Sequence, residues 1–242
     1  MVRVSARLVR LCCAFLLAVL PEGAPLANAE AVVRLKVDFV QHTEQATGDS
    51  AVEGTLYFSA PGRVMLEISM PVHQITVFQE DTLLVYYPEE RRAFRFVSRN
   101  MLFVPFAESF LGVLKQDFGL AEAGFEIAGR GEAAGTLVLR WAPPKALRRR
   151  IGEVRTGHRD GRPWRIEVFD PAGRLLTQVT YAGFVTVDGL PVPTDIAVLE
   201  QQGKDRVVSS YEYRQPEVNG AFPESISGFR IPADVEVREM QW

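Results

Sequence analysis

Residues 54–70 read GTLYFSAPGRVMLEISM, and this stretch contains the pattern that decides the fold. Leu56 and Phe58 alternate with polar or aromatic residues up to a Pro-Gly turn at 61–62. After that turn, a second set of apolar residues shares one face: Val64, Leu66, Ile68 and Met70. Alternation with a period of two is typical of half-buried β-strands. The stretch therefore predicts two antiparallel strands joined by a short turn.

The same alternation continues on both sides of this hairpin. Turn residues recur every eight to twelve positions, as in all-β folds, and separate strands predicted at 75–78, 83–87, 94–96, 137–141, 164–169, 175–181, 184–187, 196–199 and 207–213. Asp160-Gly161 and Asp188-Gly189 are strong hairpin signals, because both turn residues tolerate positive φ. We therefore predict a mainly β (α+β) chain with one curved antiparallel sheet of about ten strands, which must curl or close.

The first 29 residues have the features of a signal peptide. Three arginines precede the uncharged apolar run Leu11–Leu20, and Ala27-Asn28-Ala29 has the form of a cleavage site. We expect residues 30–242 to form one domain in the periplasm of a diderm bacterium. Removal of the leader would remove both cysteines, Cys12 and Cys13, which excludes disulfides and cysteine chemistry from the mature chain.

The composition narrows the classes of function. Of 242 residues, 47% are hydrophobic and 24% are charged, which excludes a disordered chain. The net charge of -3 lacks the excess of positive charge that is typical of nucleic-acid-binding proteins. No nucleophile elbow, phosphate loop or metal-ligand spacing occurs, and His158 is predicted as an exposed loop residue. We therefore expect neither an enzyme nor a bound cofactor or metal.

One stretch departs from the strand pattern. Phe103, Phe106, Phe110 and Leu114 recur at helical spacing, and Gly119 follows as a stop signal. This apolar helix could be ordinary core, or it could be a lid over an acyl-chain cavity. A local basic cluster, in an otherwise acidic chain, comprises Lys145, Arg148, Arg149 and Arg150. It could be a solvated loop, or a dock for an acidic partner surface or phospholipid headgroups.

Several of these motifs together resemble a known family, the outer-membrane lipoprotein carrier and sorting (LolA-like) proteins. The motifs that carry the resemblance are Phe39-x-Gln41, Gly54 to Phe58, Pro61-Gly62-Arg63, Asp81 to Pro88, Trp164 to Glu167 with Asp170 and Gly173, and the closing strand Phe229-x-Ile231-Pro232-x-x-Val235-x-Val237. They extend over most of the chain after residue 29. The family commonly has an arginine before the proline of the second strand, and Ala60 occupies that position here.

The resemblance implies an incomplete antiparallel β-barrel, a half-pipe covered by short helices. Its apolar hollow would hold the acyl chains of a lipoprotein or a related lipid. An inner-membrane ATP-driven transporter would release the cargo, and an outer-membrane acceptor would take it from a monomeric carrier. We expect the lid residues above to cover a sheet wall formed by Leu56, Phe58, Val64, Leu66, Ile68, Val85, Tyr87, Phe94 and Phe96.

Two alternatives remain at this point. A periplasmic module of the same fold could sense a lipid or lipoprotein rather than carry it, and it would need the same hollow. An integral outer-membrane β-barrel is a second alternative. Counting back from Trp242 by twos places Arg238 and Glu236 where such a barrel should have lipid-facing residues, which argues against it.

Overall fold

The chain forms one open sheet of fourteen strands. The computed structural model describes residues 32, 34–45, 48–60, 62–79, 82–97, 117–133, 135–202 and 205–240. The predicted signal peptide lies outside these ranges. The strands are β1 (Arg34–Glu44), β2 (Ser50–Ser59), β3 (Arg63–Met70), β4 (Gln74–Gln79), β5 (Thr82–Tyr87), β6 (Arg92–Val97), β7 (Glu126–Ala133), β8 (Thr136–Ala142), β9 (Glu153–Arg159), β10 (Arg162–Phe169), β11 (Leu175–Val187), β12 (Leu190–Gln202), β13 (Asp205–Val218) and β14 (Val237–Met240).

The strand order makes this sheet an incomplete antiparallel β-barrel, as the resemblance implied. The order is β14-β6-β5-β4-β3-β2-β1-β13-β12-β11-β10-β9-β8-β7. All neighbouring pairs are antiparallel except the parallel pair of β14 and β6. Within the described ranges, β7 and β14 are each paired on one side only, so the sheet is open. β1 joins the two halves of the sheet, because it pairs with β2 on one side and β13 on the other.

The predicted strand number of about ten is wrong, since the sheet has fourteen. The prediction missed β7 and β9. β7 contains Gly129-Arg130-Gly131 and is an edge strand, where a polar sequence is favoured over a clear apolar alternation. β9 has charged or polar side chains at Arg155, His158 and Arg159, so its alternation is also weak.

Both predicted two-residue hairpins are confirmed. Asp160 and Gly161 connect β9 to β10 with φ values of 51° and 74°. Asp188 and Gly189 connect β11 to β12 with φ values of 49° and 80°. Positive φ at both central residues gives the turn a twist that matches the flanking strands. These turns therefore fix the register of four neighbouring strands in the second half of the sheet.

A glycine in the decisive stretch has a structural cause. A Cβ added to Gly54 would lie 2.4 Å from the backbone oxygen of Glu67, which is far inside contact distance. Gly54 also lies at the register shift between β2 and β3. Because the neighbouring atom is backbone and cannot move away cheaply, only glycine fits the close approach of the two strands.

The largest hydrophobic core lies on one face of the sheet, which we call the inner face. Leu35, Leu56 and Val192 are fully buried there. The opposite, outer face of β2–β6 is covered by the C-terminal segment, residues 219–236, which includes the short helix α1 (Glu224–Ser227). The apolar side chains of this segment that pack on the outer face are Phe222, Ile226, Phe229, Ile231 and Val235.

The C-terminal segment differs from the predicted closing strand. The motif from Phe229 to Val237 is strand only from Val237 onward. Pro232 has no backbone N–H for a ladder bond. Phe229 and Val235 pack against the buried Tyr86 and Ala93 of the sheet, so the segment lies on the outer face before it joins the edge.

A separate core supports β8–β10. Trp141, Ile151 and Val154 pack there with Leu120 and Phe125, which belong to the turn region just before β7. Trp141 Nε1 donates a hydrogen bond of 3.0 Å to Thr156 Oγ1, and both residues are buried. Among the described residues, no helix has the length and hydropathy needed to cross a membrane.

Candidate functional site

The register places all nine predicted wall residues on the inner face. Phe58 pairs with Val64, and Leu56 pairs with Leu66, across β2 and β3. Val85 pairs with Phe94 across β5 and β6. Side chains alternate across a strand, and residues paired across two strands share a face. The pairings of β4 with β3 and with β5 therefore show that the inner face of β2 and β3 continues onto β5 and β6. The remaining wall residues have the same parity: Ile68, Tyr87 and Phe96.

Burial on this face changes along the sheet. Leu56, Val64 and Leu66 are buried, so these three wall residues belong to the folding core. The other six are only half-buried: Phe58, Ile68, Val85, Tyr87, Phe94 and Phe96. Tyr87 and Phe94 form an edge-to-face ring pair with centroids 6.2 Å apart. The inner face of β5 and β6 is thus an apolar surface that remains partly accessible.

The outer face of the same strands is packed more tightly. Tyr57, Met65, Val77 and Tyr86 are buried beneath the C-terminal segment. In β5, the Leu84 side chain lies on the outer face and packs against the buried cluster that contains Met65 and Val77. The neighbouring Val85 side chain lies on the inner face. The C-terminal segment therefore buries the outer face of β4 to β6, whereas the apolar side chains on the inner face of β5 and β6 stay half-buried.

The inner face continues into the second half of the sheet, through residues that the sequence analysis did not single out. Tyr181, Tyr211 and Tyr213 belong to the inner core. The rings of Tyr211 and Tyr213 stack with centroids 6.2 Å apart and an interplanar angle of 12°. Burial raises the pKa of all three phenols, so they stay neutral at physiological pH. The alternation of apolar and polar residues in β13 is the sequence feature that could have predicted burial of Tyr211 and Tyr213.

The predicted lid residues Phe103, Phe106, Phe110 and Leu114 lie outside the described residues, so the lid stays a prediction. Just after them, the Phe118 ring lies 5.7 Å from that of Tyr181 and 6.1 Å from that of His158. The prediction of His158 as an exposed loop residue is wrong: it is half-buried within β9. Burial lowers the pKa of its imidazole, and the charge of Asp117 opposes that shift.

The basic cluster forms the turn between β8 and β9. Arg148 Nε donates a hydrogen bond to the Pro143 carbonyl at 3.1 Å, while Leu147 packs into the core. Lys145, Arg149 and Arg150 are exposed. The turn is therefore anchored by one apolar side chain, and its cations project into solvent.

This turn continues into a wider basic surface on the outer side of β9 and β10. The guanidinium of Arg159 lies 4.4 Å from the Trp164 ring centre, and that of Arg165 lies 4.5 Å from it. Arg155 stacks on Phe169 at 4.4 Å. Residues 130–174 contain eleven Lys and Arg against five Asp and Glu, a net charge of +6 in a chain with net charge -3. The sequence analysis missed this surface because strand pairing assembles it.

The described ranges contain no group of three or more His, Cys, Asp or Glu side chains arranged to hold a metal ion. The described strands carry an apolar inner face on β2 to β6 and a basic surface on the outer side of β9 and β10.

Comparison with solved structures shows that the chain has the fold of the LolA superfamily. A LolA superfamily protein from Nitrosomonas europaea is similar over 81% of this chain and 90% of that chain, with a TM-score of 0.55 and 16% identity. An outer membrane lipoprotein-sorting protein domain from Vibrio parahaemolyticus is similar over 81% and 89%, with a TM-score of 0.58 and 13% identity.

A third similar structure is a DUF1329 family protein from Desulfovibrio piger. The similarity extends over 83% of this chain and 93% of the Desulfovibrio piger chain, with a TM-score of 0.58 and 13% identity. No protein-family model matches the sequence, and no curated protein matches it significantly. At these identities the likeness establishes the fold, and function has to be argued from the residues of this chain.

Proposed function

We propose that this protein is a periplasmic carrier, which binds the acyl chains of a lipoprotein or a related lipid on its inner face and takes them from the inner to the outer membrane. The observation that carries the proposal is the half-buried apolar surface of β5 and β6, opposite a packed outer face. The shared fold with a lipoprotein-sorting protein domain supports the same class of ligand.

The energetics of transfer explain why such a surface is needed. Each methylene removed from water contributes about 0.8 kcal/mol. A lipid with two or three chains exposes tens of methylenes, which corresponds to roughly 25–40 kcal/mol in gross terms. A lipid cannot cross an aqueous compartment with this surface uncovered, so a carrier must offer a wall about as apolar as the bilayer.

Loading onto such a wall is nearly neutral in free energy, because the lipid exchanges one apolar environment for another. The direction of transfer must then come from outside the carrier. We propose that an inner-membrane ATP-driven transporter loads the protein, and that an outer-membrane acceptor with a more favourable site unloads it. No polar catalytic group is required for either step.

Val85→Asp tests the wall. We expect it to weaken binding of a fluorescent fatty acid at least tenfold, about 1.4 kcal/mol, because an acyl chain would have to desolvate the new carboxylate. The measurement is a fluorescence titration of the purified protein, with thermal unfolding recorded in parallel. Val85 is half-buried, so the variant should still fold.

Leu84→Asp is the matched control. Leu84 is adjacent, half-buried and aliphatic, but it packs on the outer face. This variant should lower the unfolding temperature at least as much as Val85→Asp while leaving fatty-acid affinity unchanged. Equal loss of affinity in both variants would mean that destabilisation, not the wall, controls binding. Transfer of a labelled lipoprotein between inner- and outer-membrane vesicles then separates a carrier from a sensor, because a sensor binds without transfer.

The second part of the proposal concerns the basic surface, which comprises the turn between β8 and β9 and the outer side of β9 and β10 (residues 145–165). We propose that it contacts anionic phospholipid headgroups while cargo is exchanged. Trp164, which contacts two guanidinium groups through its ring, has the mixed polar and apolar character of side chains at membrane interfaces. Each cation near an anionic membrane surface contributes about 1 kcal/mol, so several together give reversible attachment.

The double variant Arg149→Glu/Arg150→Glu tests this contact. We expect its co-sedimentation with vesicles containing phosphatidylglycerol to fall more than tenfold, because two attractive charges become repulsive. The control is Arg206→Glu/Arg230→Glu, which makes the same change in net charge at exposed positions outside the basic surface. If the control loses vesicle binding equally, net charge rather than this surface is responsible.

A further inference from the structure

A pocket of about 370 Å³ lies on the outer face, on the opposite side of the sheet from the acyl-chain wall. Tyr57, Met65, Phe222 and Ile226 contribute to its apolar part, between the sheet and the C-terminal segment. Its polar part is formed by Arg34, Ser59, Arg63 and Ser227. The volume is at the lower end of the range for small-molecule sites in proteins.

The register of three strands places the two arginines in one row. Ser59 of β2 pairs with Arg34 of β1 on one side and with Arg63 of β3 on the other. All three side chains share the outer face, so the two arginine Cα atoms are about 10 Å apart, two strand spacings. An anion placed beside the Ser59 hydroxyl would therefore be attracted by both guanidinium groups.

Three other cations on the outer side of this half of the sheet are paired with acids. Lys36, in the next row of β1, is 2.7 Å from the Glu217 carboxylate. Arg95 pairs with Glu239, and Arg91 pairs with Asp234. In contrast, neither Arg34 nor Arg63 forms an ion pair with any carboxylate of the described chain, and the C-terminal segment contributes no acid to the lining.

Arg63 has an unsatisfied donor in this pocket. Its Nη1 donates a hydrogen bond to the Ser227 carbonyl at 3.3 Å. Its Nε is buried and has no hydrogen-bond partner. A buried donor on a charged group is normally satisfied, so the Arg63 guanidinium has unused hydrogen-bonding capacity beside the pocket.

We propose that this pocket binds a phosphate group, held between the Arg34 and Arg63 guanidinium groups with the Ser59 hydroxyl as a further donor. The planar guanidinium matches phosphate oxygens with two parallel hydrogen bonds. The adjoining apolar wall accommodates the small organic part of a phosphate ester. This site is separate from the acyl-chain wall and does not depend on the carrier function. The phosphate could belong to a soluble ester or to a lipid headgroup.

Calorimetric titration distinguishes the two sources. The probes are inorganic phosphate, glycerol 3-phosphate and vesicles containing phosphatidic acid. Binding of glycerol 3-phosphate, at a higher affinity than inorganic phosphate, indicates a soluble ester. Binding of the vesicles alone, retained in the Arg149→Glu/Arg150→Glu variant whose basic surface is weakened, indicates a lipid headgroup in this pocket. In either case the Arg63→Gln variant is expected to lose at least tenfold in affinity for the probe that binds.

The variants separate the site from general effects. Arg34→Gln changes an exposed side chain, so the variant should fold. Its affinity for the probe should fall, as in Arg63→Gln. Arg95→Gln removes an outer-face cation that already pairs with Glu239, so it should bind as the original chain does. The Arg149→Glu/Arg150→Glu variant, whose changes lie outside the pocket, should keep its affinity for glycerol 3-phosphate if the ester is the ligand.

Two results would overturn the proposal. One is that none of the three probes binds to the original chain. The other is that Arg34→Gln and Arg63→Gln, both folded by thermal unfolding, bind the probe with unchanged affinity. Loss of fatty-acid binding in Val85→Asp with retained phosphate binding would show that the two sites are independent.

Discussion

Leu56→Ala is expected to lower the free energy of unfolding by about 2–5 kcal/mol, which is the usual cost of truncating a fully buried leucine. Leu56 is completely buried between Val37 and Leu66 on neighbouring strands. The cost includes the lost burial and the cavity left behind. The measurement is urea unfolding followed by tryptophan fluorescence. A loss of this size is a large fraction of the stability of a typical domain.

Leu83→Ala is the matched control for this prediction. Leu83 has the same side chain and lies on the same inner face, but it is only half-buried. Its truncation should cost clearly less than that of Leu56. If the two variants are equally destabilised, then the inner face is packed uniformly from β2 to β5, and no part of it remains accessible to an acyl chain.

Trp141→Ala is expected to cost about 3–5 kcal/mol, the range for removal of a large buried aromatic side chain. Trp141 lies at the centre of the second core and bonds to the buried Thr156. The alanine variant loses both the packing and the hydrogen bond. Trp141→Phe keeps most of the packing and removes the indole donor, while Thr156 Oγ1 keeps its 3.3 Å contact with His158 Nε2, so this variant should cost only about 1–3 kcal/mol. Both values come from urea unfolding followed by circular dichroism.

A double-mutant cycle isolates the Trp141–Thr156 bond. Thr156→Val in the original chain should destabilise it by leaving the indole N–H without a partner. The same change in the Trp141→Phe background should cost less, because the indole donor is already absent and only the contact between Thr156 and His158 is lost. Additive effects would show that the bond of 3.0 Å contributes no coupling to stability.

The parts of the fold that the sequence predicted are those encoded by local alternation. Residues 54–70 alternate strictly, and their parity placed Leu56, Phe58, Val64, Leu66 and Ile68 on the correct common face. A register error of one residue would have turned them all outward. The Asp-Gly turns were equally local, because two residues alone determine their geometry.

The parts that could not be predicted depend on distant pairing. The Arg34–Ser59–Arg63 row requires the registers of two strand pairs at once. The packing of Phe222 and Ile226 on Met65 joins residues more than 150 positions apart in the sequence. The extent of β7 was hidden because glycine and charged residues at a sheet edge have no apolar pattern to reveal them.

The position of β1 at the centre of the sheet has a consequence for the order of folding. Lys36 of β1 contacts Glu217 of β13, 181 positions later in the sequence. The sheet is therefore continuous only after β1 has paired with β13, one of the last strands to be synthesised. Closing so large a loop costs chain entropy and slows folding. The local hairpins of β2 to β6 and of β7 to β12 can therefore form early, but they become one continuous sheet only after β13 has been synthesised.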